Sequence, residues 1–182
     1  PWEVVKPDQR QLKKNLSIGE QNKIKVQFKN YDEFLKNNFP LSQPETKFAG
    51  WGTDLSRVGL ELCFKLSKLG GYVGIVLPNS FLADHKSYKL RKHALSKFIL
   101  KKLAIYSAES RLFQGADVGA ITCIFENDSL TNQNFELELF DSENISEERT
   151  EIFLHQNQLT RLNYILPVEL GSAAISLIYR LA

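Results

Sequence analysis

The sequence predicts an α/β protein built around one sheet, and the order of its apolar segments carries this prediction. Apolar residues recur at helical spacing from residue 55 to 69, and a nearly continuous apolar run follows from Tyr72 to Leu77. A second helical pattern covers residues 87–98, with lysines on its opposite face. Three further apolar segments predict strands at 103–106, 119–125 and 135–140. This order predicts an α/β sheet with a β-hairpin at its edge.

Turn-forming residues predict the ends of these elements. Thr53 or Asp54 is suited to cap the first helix, and Gly70 and Gly71 supply the left-handed backbone with which helices commonly end. Because the run Tyr72–Leu77 carries no charge, we expect a strand that is buried on both faces and ends at Pro78. The stripe of the first helix that we expect to face the core comprises Leu55, Val58, Leu62, Leu66 and Leu69.

Residues 4–50 are predicted to form an inserted surface arm rather than part of the sheet. They are rich in Lys, Gln and Asn, and Ile24, Phe28, Tyr31 and Leu35 share one helical stripe. Pro40 marks the end of that helix. We expect this amphipathic helix to lie on an apolar surface.

The composition is that of an ordinary globular protein, with 43% hydrophobic and 24% charged residues. No apolar run approaches the ~18 residues that a membrane span requires, which predicts a cytoplasmic protein without membrane contact. Cys63 and Cys123 lie far apart in apolar runs and are predicted to be reduced core thiols rather than metal ligands. His85, His93 and His155 form no metal or catalytic-triad pattern, and we expect them at the surface.

Charge is distributed unevenly along the chain. Residues 1–50 contain nine basic and six acidic side chains, residues 51–106 contain ten and three, and residues 107–182 contain four and twelve. The basic middle segment is suited to face a polyanion such as a nucleic acid, whereas the acidic tail would repel one. The alternative is that the lysines form only a solvated surface.

Four short motifs follow one another along the chain. Pro1-Trp2-Glu3 comes first, and Asp54-Leu55 precedes a Leu-Gly-Gly turn. Val76-Leu77-Pro78-Asn79-Ser80-Phe81 is next, followed by Leu112-Phe113-Gln114 before Val118-Gly119-Ala120-Ile121. In this order they resemble motifs of the adenine-N6 DNA methyltransferases of type II restriction-modification systems. Pro1-Trp2 then resembles the end of an Asn-Pro-Pro-Trp motif.

The resemblance implies the carboxy-terminal half of the catalytic domain, which is the C-terminal part of a class I (Rossmann-like) methyltransferase sheet. Its cofactor would be S-adenosylmethionine, although the glycine-rich loop that binds this cofactor in the family has no counterpart here. Residues 1–50 would comprise the end of the catalytic motif and an inserted helical arm, and residues 51–140 the rest of the catalytic half. Residues 141–182 would begin a target-recognition or linker region that is truncated.

The resemblance also implies a pocket for a flipped adenine. Pro1 would be the second proline of the catalytic motif, and Trp2 would stack on the base, a contact worth about 1–3 kcal/mol. Phe113 would contact the edge of the base, and Leu77 and Pro78 would form the opposite wall. The two acceptors that bind the adenine amine in this family precede residue 1, so this chain alone is expected to be inactive.

Duplex DNA is the partner that the resemblance implies, together with a fused or separate nuclease. Lys86, Lys89, Arg91 and Lys92 are the candidate phosphate contacts, within a basic region that extends to residue 102. For Asn79, capping of the following helix is the favoured interpretation, and contact with the DNA backbone is the alternative.

Two other functions remain open at this stage. The first is methylation of a protein glutamine or of RNA, since such enzymes share an Asn-Pro-Pro-aromatic turn. The insertion after the motif and the second aromatic residue, Phe113, argue against it. The second is a non-catalytic DNA-binding or scaffold module with a methyltransferase-like fold.

Overall fold

A five-stranded sheet forms the centre of the structure, a computed structural model that describes residues 16–45, 53–108, 118–128, 134–140, 149–166 and 171–181. The strands are β1 (Tyr72–Pro78), β2 (Ile99–Tyr106), β3 (Ala120–Glu126), β4 (Asn134–Phe140) and β5 (Arg149–His155). The helices are α1 (Ile18–Asn38), α2 (Leu55–Leu66), α3 (Tyr88–Lys97), α4 (Gln156–Arg161) and α5 (Gly171–Leu181). Short 3-10 turns span Pro40–Ser42 and Asn79–Leu82.

The strand order is β1-β3-β2-β4-β5. β3 runs antiparallel to both β1 and β2, so β1 and β2 are parallel to each other across it. β2 pairs with β4 in parallel, and β4 pairs with β5 antiparallel. The consecutive strands β3 and β4 therefore do not form a hairpin, because β2 lies between them. The antiparallel edge that the sequence predicts is instead formed by β4 and β5.

Among the described strands, β1 lies at the edge of the sheet and one of its faces is exposed, which corrects the prediction that both faces are buried. Val73 and Leu77 point into the core, whereas Tyr72 is 63% and Val76 is 40% exposed. An uncharged strand of this kind resembles a central strand, since natural edge strands usually carry charges, prolines or bulges. Pro78 ends the strand as predicted, and Gly70 adopts the left-handed conformation, with φ of 75°.

α2 presents apolar side chains on two sides, and the predicted stripe is mostly the outer one. Leu60 and Phe64 pack into the core, while Leu62 is 42% and Leu66 is 73% exposed. The helix ends at Leu66, before Gly70. Leu55 and Val58 of the predicted stripe pack in a small apolar cluster with Leu35, so the prediction holds for the start of the helix and fails for Leu62 and Leu66.

The predicted arm is a 21-residue helix that touches the rest of the protein near its C-terminal end. Leu35 is buried there, and Asp32 accepts hydrogen bonds from the backbone nitrogen and the hydroxyl of Thr53 at 2.9 and 2.7 Å. Burial raises the pKa of Asp32, but hydrogen bonds from Lys36 and Thr53 outweigh it and hold the pKa below its usual value. The arm is thus held by a polar contact beside one small apolar cluster.

A second polar contact follows in the turn after the arm. Ser42 donates from its backbone nitrogen and its hydroxyl to Glu61, both at 2.8 Å, and Lys65 pairs with the same carboxylate at 3.0 Å. Because Glu61 is buried, these bonds balance much of the cost of removing its charge from water.

The segment after residue 140 belongs to the same sheet and the same core. β5 pairs with β4 along its whole length, and Leu154, Leu159 and Leu166 join the main apolar cluster. The side chain of Gln156 is buried between this segment and the link from α3 to β2. The predicted domain boundary at residue 140 therefore falls between two hydrogen-bonded strands.

Candidate functional site

The carboxyl ends of three strands, β1, β2 and β4, lie side by side. The edge of the sheet formed by these strand ends, and not the edge formed by an outer strand, is the candidate site. Pro78 of β1 and Tyr106 of β2 both lie opposite Ala120, the first residue of β3. Tyr106 also lies opposite Phe140, the last residue of β4, and their rings stack with centroids 4.8 Å apart. In open α/β sheets, ligands bind outside the carboxyl ends of the strands. Nothing in the sequence pattern singled out this aromatic pair, although both residues end a predicted strand.

Of the two predicted wall residues, the structure leaves only Pro78 accessible. Pro78 is half-buried at the end of β1, whereas the side chain of Leu77 is 0% exposed. Leu77 belongs to the main apolar cluster together with residues of α2 and α3. The assignment of Leu77 to a base pocket is therefore wrong for this conformation.

Asn79 follows Pro78 and does not cap a helix, contrary to the favoured interpretation. Its backbone nitrogen donates to the carbonyl of Gly119 at 3.0 Å. Pro78 occupies the capping position of the turn that Asn79 begins, and Ser87 occupies that of α3, in both cases without a side-chain capping bond. The Asn79 amide makes no hydrogen bond with the rest of the described chain.

Arg91 is a structural residue and not a phosphate contact. It is 1% exposed, and its Nε donates to the carbonyl of Tyr164 at 2.6 Å. Its Nη1 donates to the carbonyls of Phe81 and Asp84 at 2.7 and 2.9 Å. Burial lowers the pKa of Arg91, and the nearby Asp84 and Tyr88 raise it. Because these donors are already used inside the protein, the prediction that Arg91 meets DNA is wrong for this structure.

Three of the predicted phosphate contacts remain near the candidate site. Lys86 lies in the turn before α3, and Lys89 and Lys92 lie on the outer side of its first turns. The ammonium group of Lys92 lies 5.9 Å from the ring centroid of Tyr88. The chain passes from the end of β1 through Asn79–Leu82 into α3, so these lysines lie toward the same edge of the sheet as Pro78.

Two further lysines of the basic region are paired with acidic side chains. The ammonium nitrogen of Lys101 lies 3.4 Å from a carboxylate oxygen of Glu126, and that of Lys102 lies 2.8 Å from a carboxylate oxygen of Glu138. Both lysines belong to β2, far from the first turn of α3. The positive charge available to a polyanion is therefore smaller than the sequence indicates.

The histidines and cysteines supply no metal site in the described ranges, where no group of three His, Cys, Asp or Glu side chains is placed to hold an ion. His93 is half-buried against Phe64 and Phe98, which corrects its predicted surface position. Burial lowers the pKa of His93. The nearby Glu61 acts in the opposite direction, Lys97 lowers the pKa further, and the pKa stays below its usual value. Both cysteines are unpaired thiols as predicted, and burial raises the pKa of Cys123.

The remaining predicted site residues, Pro1, Trp2 and Phe113, lie outside the described residues. For S-adenosylmethionine, the described part of the chain offers no glycine of positive φ at the candidate site. Gly70 is the glycine with positive φ in that part of the chain, and it lies at the amino end of β1, away from the candidate site. Gly119 does face the site, but the Asn79 side chain occupies the space beside it.

Similarity to known proteins is limited to the fold. No protein-family model and no curated protein matches the sequence. One similar structure is a chain of a type I R-M system, with a TM-score of 0.52 and 12% identity over 68% of this chain. Another is the type IIG restriction endonuclease BpuSI, with a TM-score of 0.52 and 16% identity over 74% of this chain.

This chain spans 34% of the first of those proteins and 18% of the second. At these identities the likeness concerns the fold alone, which is a mixed α/β fold found in restriction-modification proteins. Among the described helices, none is long and apolar enough to cross a membrane.

Proposed function

We propose that this chain is part of a methyltransferase that transfers a methyl group from S-adenosylmethionine to the N6 amine of a flipped adenine in duplex DNA. The setting would be a restriction-modification system. The observation that carries the proposal is the edge at which β1, β2 and β4 end, with the half-buried Pro78 beside the start of a lysine-bearing helix. The fold likeness to restriction-modification proteins and the motif order support it.

The described residues would bind and orient DNA rather than supply the methyl donor. Pro78 would limit the base pocket on one side, and Trp2 and Phe113 would hold the base between aromatic rings. Lys86, Lys89 and Lys92 would contact phosphates beside it. The residues that hold S-adenosylmethionine would lie outside those that the structure describes.

The test is methyl transfer by the complete natural polypeptide, with labelled S-adenosylmethionine and adenine-containing duplex DNA. Incorporation at adenine N6 supports the proposal, and Trp2→Ala is expected to reduce it by at least tenfold through loss of stacking. Incorporation into RNA or into a protein glutamine instead would contradict it. DNA binding without any transfer, unchanged in Trp2→Ala, would identify a non-catalytic module.

A second expectation concerns the lysines beside the candidate site. Lys89→Ala/Lys92→Ala is expected to weaken DNA binding on the order of tenfold at moderate salt. It should also reduce the slope of log K against log salt by about 2, because each lost phosphate contact releases one fewer counterion. Affinity measured by fluorescence anisotropy at several salt concentrations tests both values.

A matched control removes the same charge at the opposite edge of the sheet. Lys68 lies before the amino end of β1, and Lys97 ends α3 next to the amino end of β2. Lys68→Ala/Lys97→Ala is expected to leave the salt slope nearly unchanged. Equal losses in the two double variants would show that only net charge matters.

A further inference from the structure

Asn79 has an unusual position at the candidate site. A β-carbon on Gly119 would lie 2.6 Å from Nδ2 of Asn79 and 2.9 Å from the backbone oxygen of Tyr106. The amide of Asn79 therefore packs into a notch that exists only because residue 119 is glycine. The backbone of Asn79 is held in the same place by its hydrogen bond to Gly119.

The same amide group has no hydrogen-bond partner among the described residues. It neither caps a helix nor bonds to another side chain of the described residues, although it is half-buried. Because the side chain is only half-buried, its amide group stays accessible and can bond to a ligand at this site without first breaking a bond within the described residues. Its neighbour Pro78 ends β1 at the edge where ligands of such sheets bind.

The chemistry of the amide favours one kind of ligand. A side-chain amide offers a donor and an acceptor in one plane and pairs with adenine, whose ring nitrogens accept hydrogen bonds. Guanine presents a hydrogen, rather than a lone pair, at N1. A donor directed at that position would therefore accept adenine and reject guanine, because the mismatched pair leaves buried polar groups unpaired.

We infer that the Asn79 amide donates a hydrogen bond to N1 of the target adenine and thereby selects adenine over guanine. This inference rests on the proposed function, and it assigns to Asn79 the specificity of that site. Gly119 then acts as a positioning residue, since its missing side chain leaves room for the amide.

The experiment compares wild-type protein with Asn79→Ala and Asn79→Asp in the complete natural polypeptide. Each is assayed on duplexes whose target is adenine, 1-deazaadenine, 3-deazaadenine or 7-deazaadenine. Both variants are expected to lose about tenfold to a hundredfold in kcat/KM on adenine. On 1-deazaadenine, which lacks the contacted nitrogen, wild type and variants should perform alike, because the hydrogen bond is already absent, whereas 3-deazaadenine and 7-deazaadenine should keep the difference between them.

Asn79→Asp keeps the shape of the side chain and removes its donor, so it separates packing against Gly119 from hydrogen bonding. Ser80→Ala changes the exposed neighbour and should behave as wild type. Thermal unfolding of every variant shows whether the fold persists.

The outcomes distinguish failure of the proposed function from failure of the role inferred for Asn79. If wild-type protein transfers no methyl group to DNA, the proposed function fails and this inference fails with it. If wild-type protein is active but Asn79→Ala loses the same factor on 1-deazaadenine as on adenine, only the inference is overturned. A uniform loss of affinity with a changed salt slope would likewise overturn it, since it would indicate a contact with the sugar-phosphate backbone.

Discussion

Replacing Arg91 by leucine is expected to lower the free energy of unfolding by roughly 3–5 kcal/mol, a large share of the stability of a domain this size. The change leaves the carbonyl groups of Phe81, Asp84 and Tyr164 without their donor in a largely buried place. Leucine removes the desolvated charge, which offsets part of the cost but cannot bond to three oxygens. Urea unfolding followed by circular dichroism measures the difference.

The control for Arg91 lies on the same helix. Lys97 is exposed in the last turn of α3, and Lys97→Ala is expected to change stability by no more than about 0.5 kcal/mol. Hydrogen exchange should also quicken at Tyr164 and Leu166 in Arg91→Leu, because the guanidinium joins that segment to the turn after β1. A loss of less than 1 kcal/mol without faster exchange would show that the buried contacts are unimportant for stability.

Gln156→Leu is expected to cost roughly 2–4 kcal/mol, the second-largest effect. The Gln156 side chain accepts from the backbone nitrogen of Leu100 at 3.0 Å and donates to the carbonyls of Leu95 and Phe98 at 2.7 and 2.8 Å. Leucine has nearly the same volume, so the loss measures the three bonds rather than a cavity. Equilibrium unfolding in urea provides the value.

Two comparisons test the explanation for Gln156. Asn157→Ala changes the exposed neighbour and should cost little. Gln156→Glu keeps the size but buries a carboxyl group beside two carbonyls, which raises its folded pKa above the unfolded value. Its deficit should therefore shrink as the pH falls, because the protonated carboxyl donates one bond. A deficit that grows in acid would contradict the proposed geometry.

Local features of the fold were predictable from the sequence because their causes are local. The ends of β1 and of α1 follow from Pro78 and from Pro40, and the left-handed turn follows from Gly70. The strand order was not predictable in this way. The insertion of β3 between β1 and β2 depends on pairing between residues far apart in the chain, which no local pattern records.

At the candidate site, too, some features were predictable from the sequence and others were not. Arg91 belongs to a lysine-rich stretch and was therefore expected at the surface. A signal was present, since Arg91 precedes Ala94 and Leu95 by three and four residues and so shares their buried face. Leu77 was misplaced for the converse reason, because motif order states which residues are near a site but not which face of the strand they occupy.

The outer leucines of α2 and the bare edge of β1 give the protein the character of an amphiphile. Leu62 and Leu66 lie exposed on the outer side of α2, and Tyr72 and Val76 lie exposed on the face of β1 turned away from the core, whereas lysines occupy the outer side of α3. Scattered apolar side chains are ordinary on a protein surface, but an uncharged strand at the edge of a sheet favours association with other apolar surfaces. Acidic substitutions at Leu62 and Leu66 are therefore expected to reduce the tendency of the protein to associate.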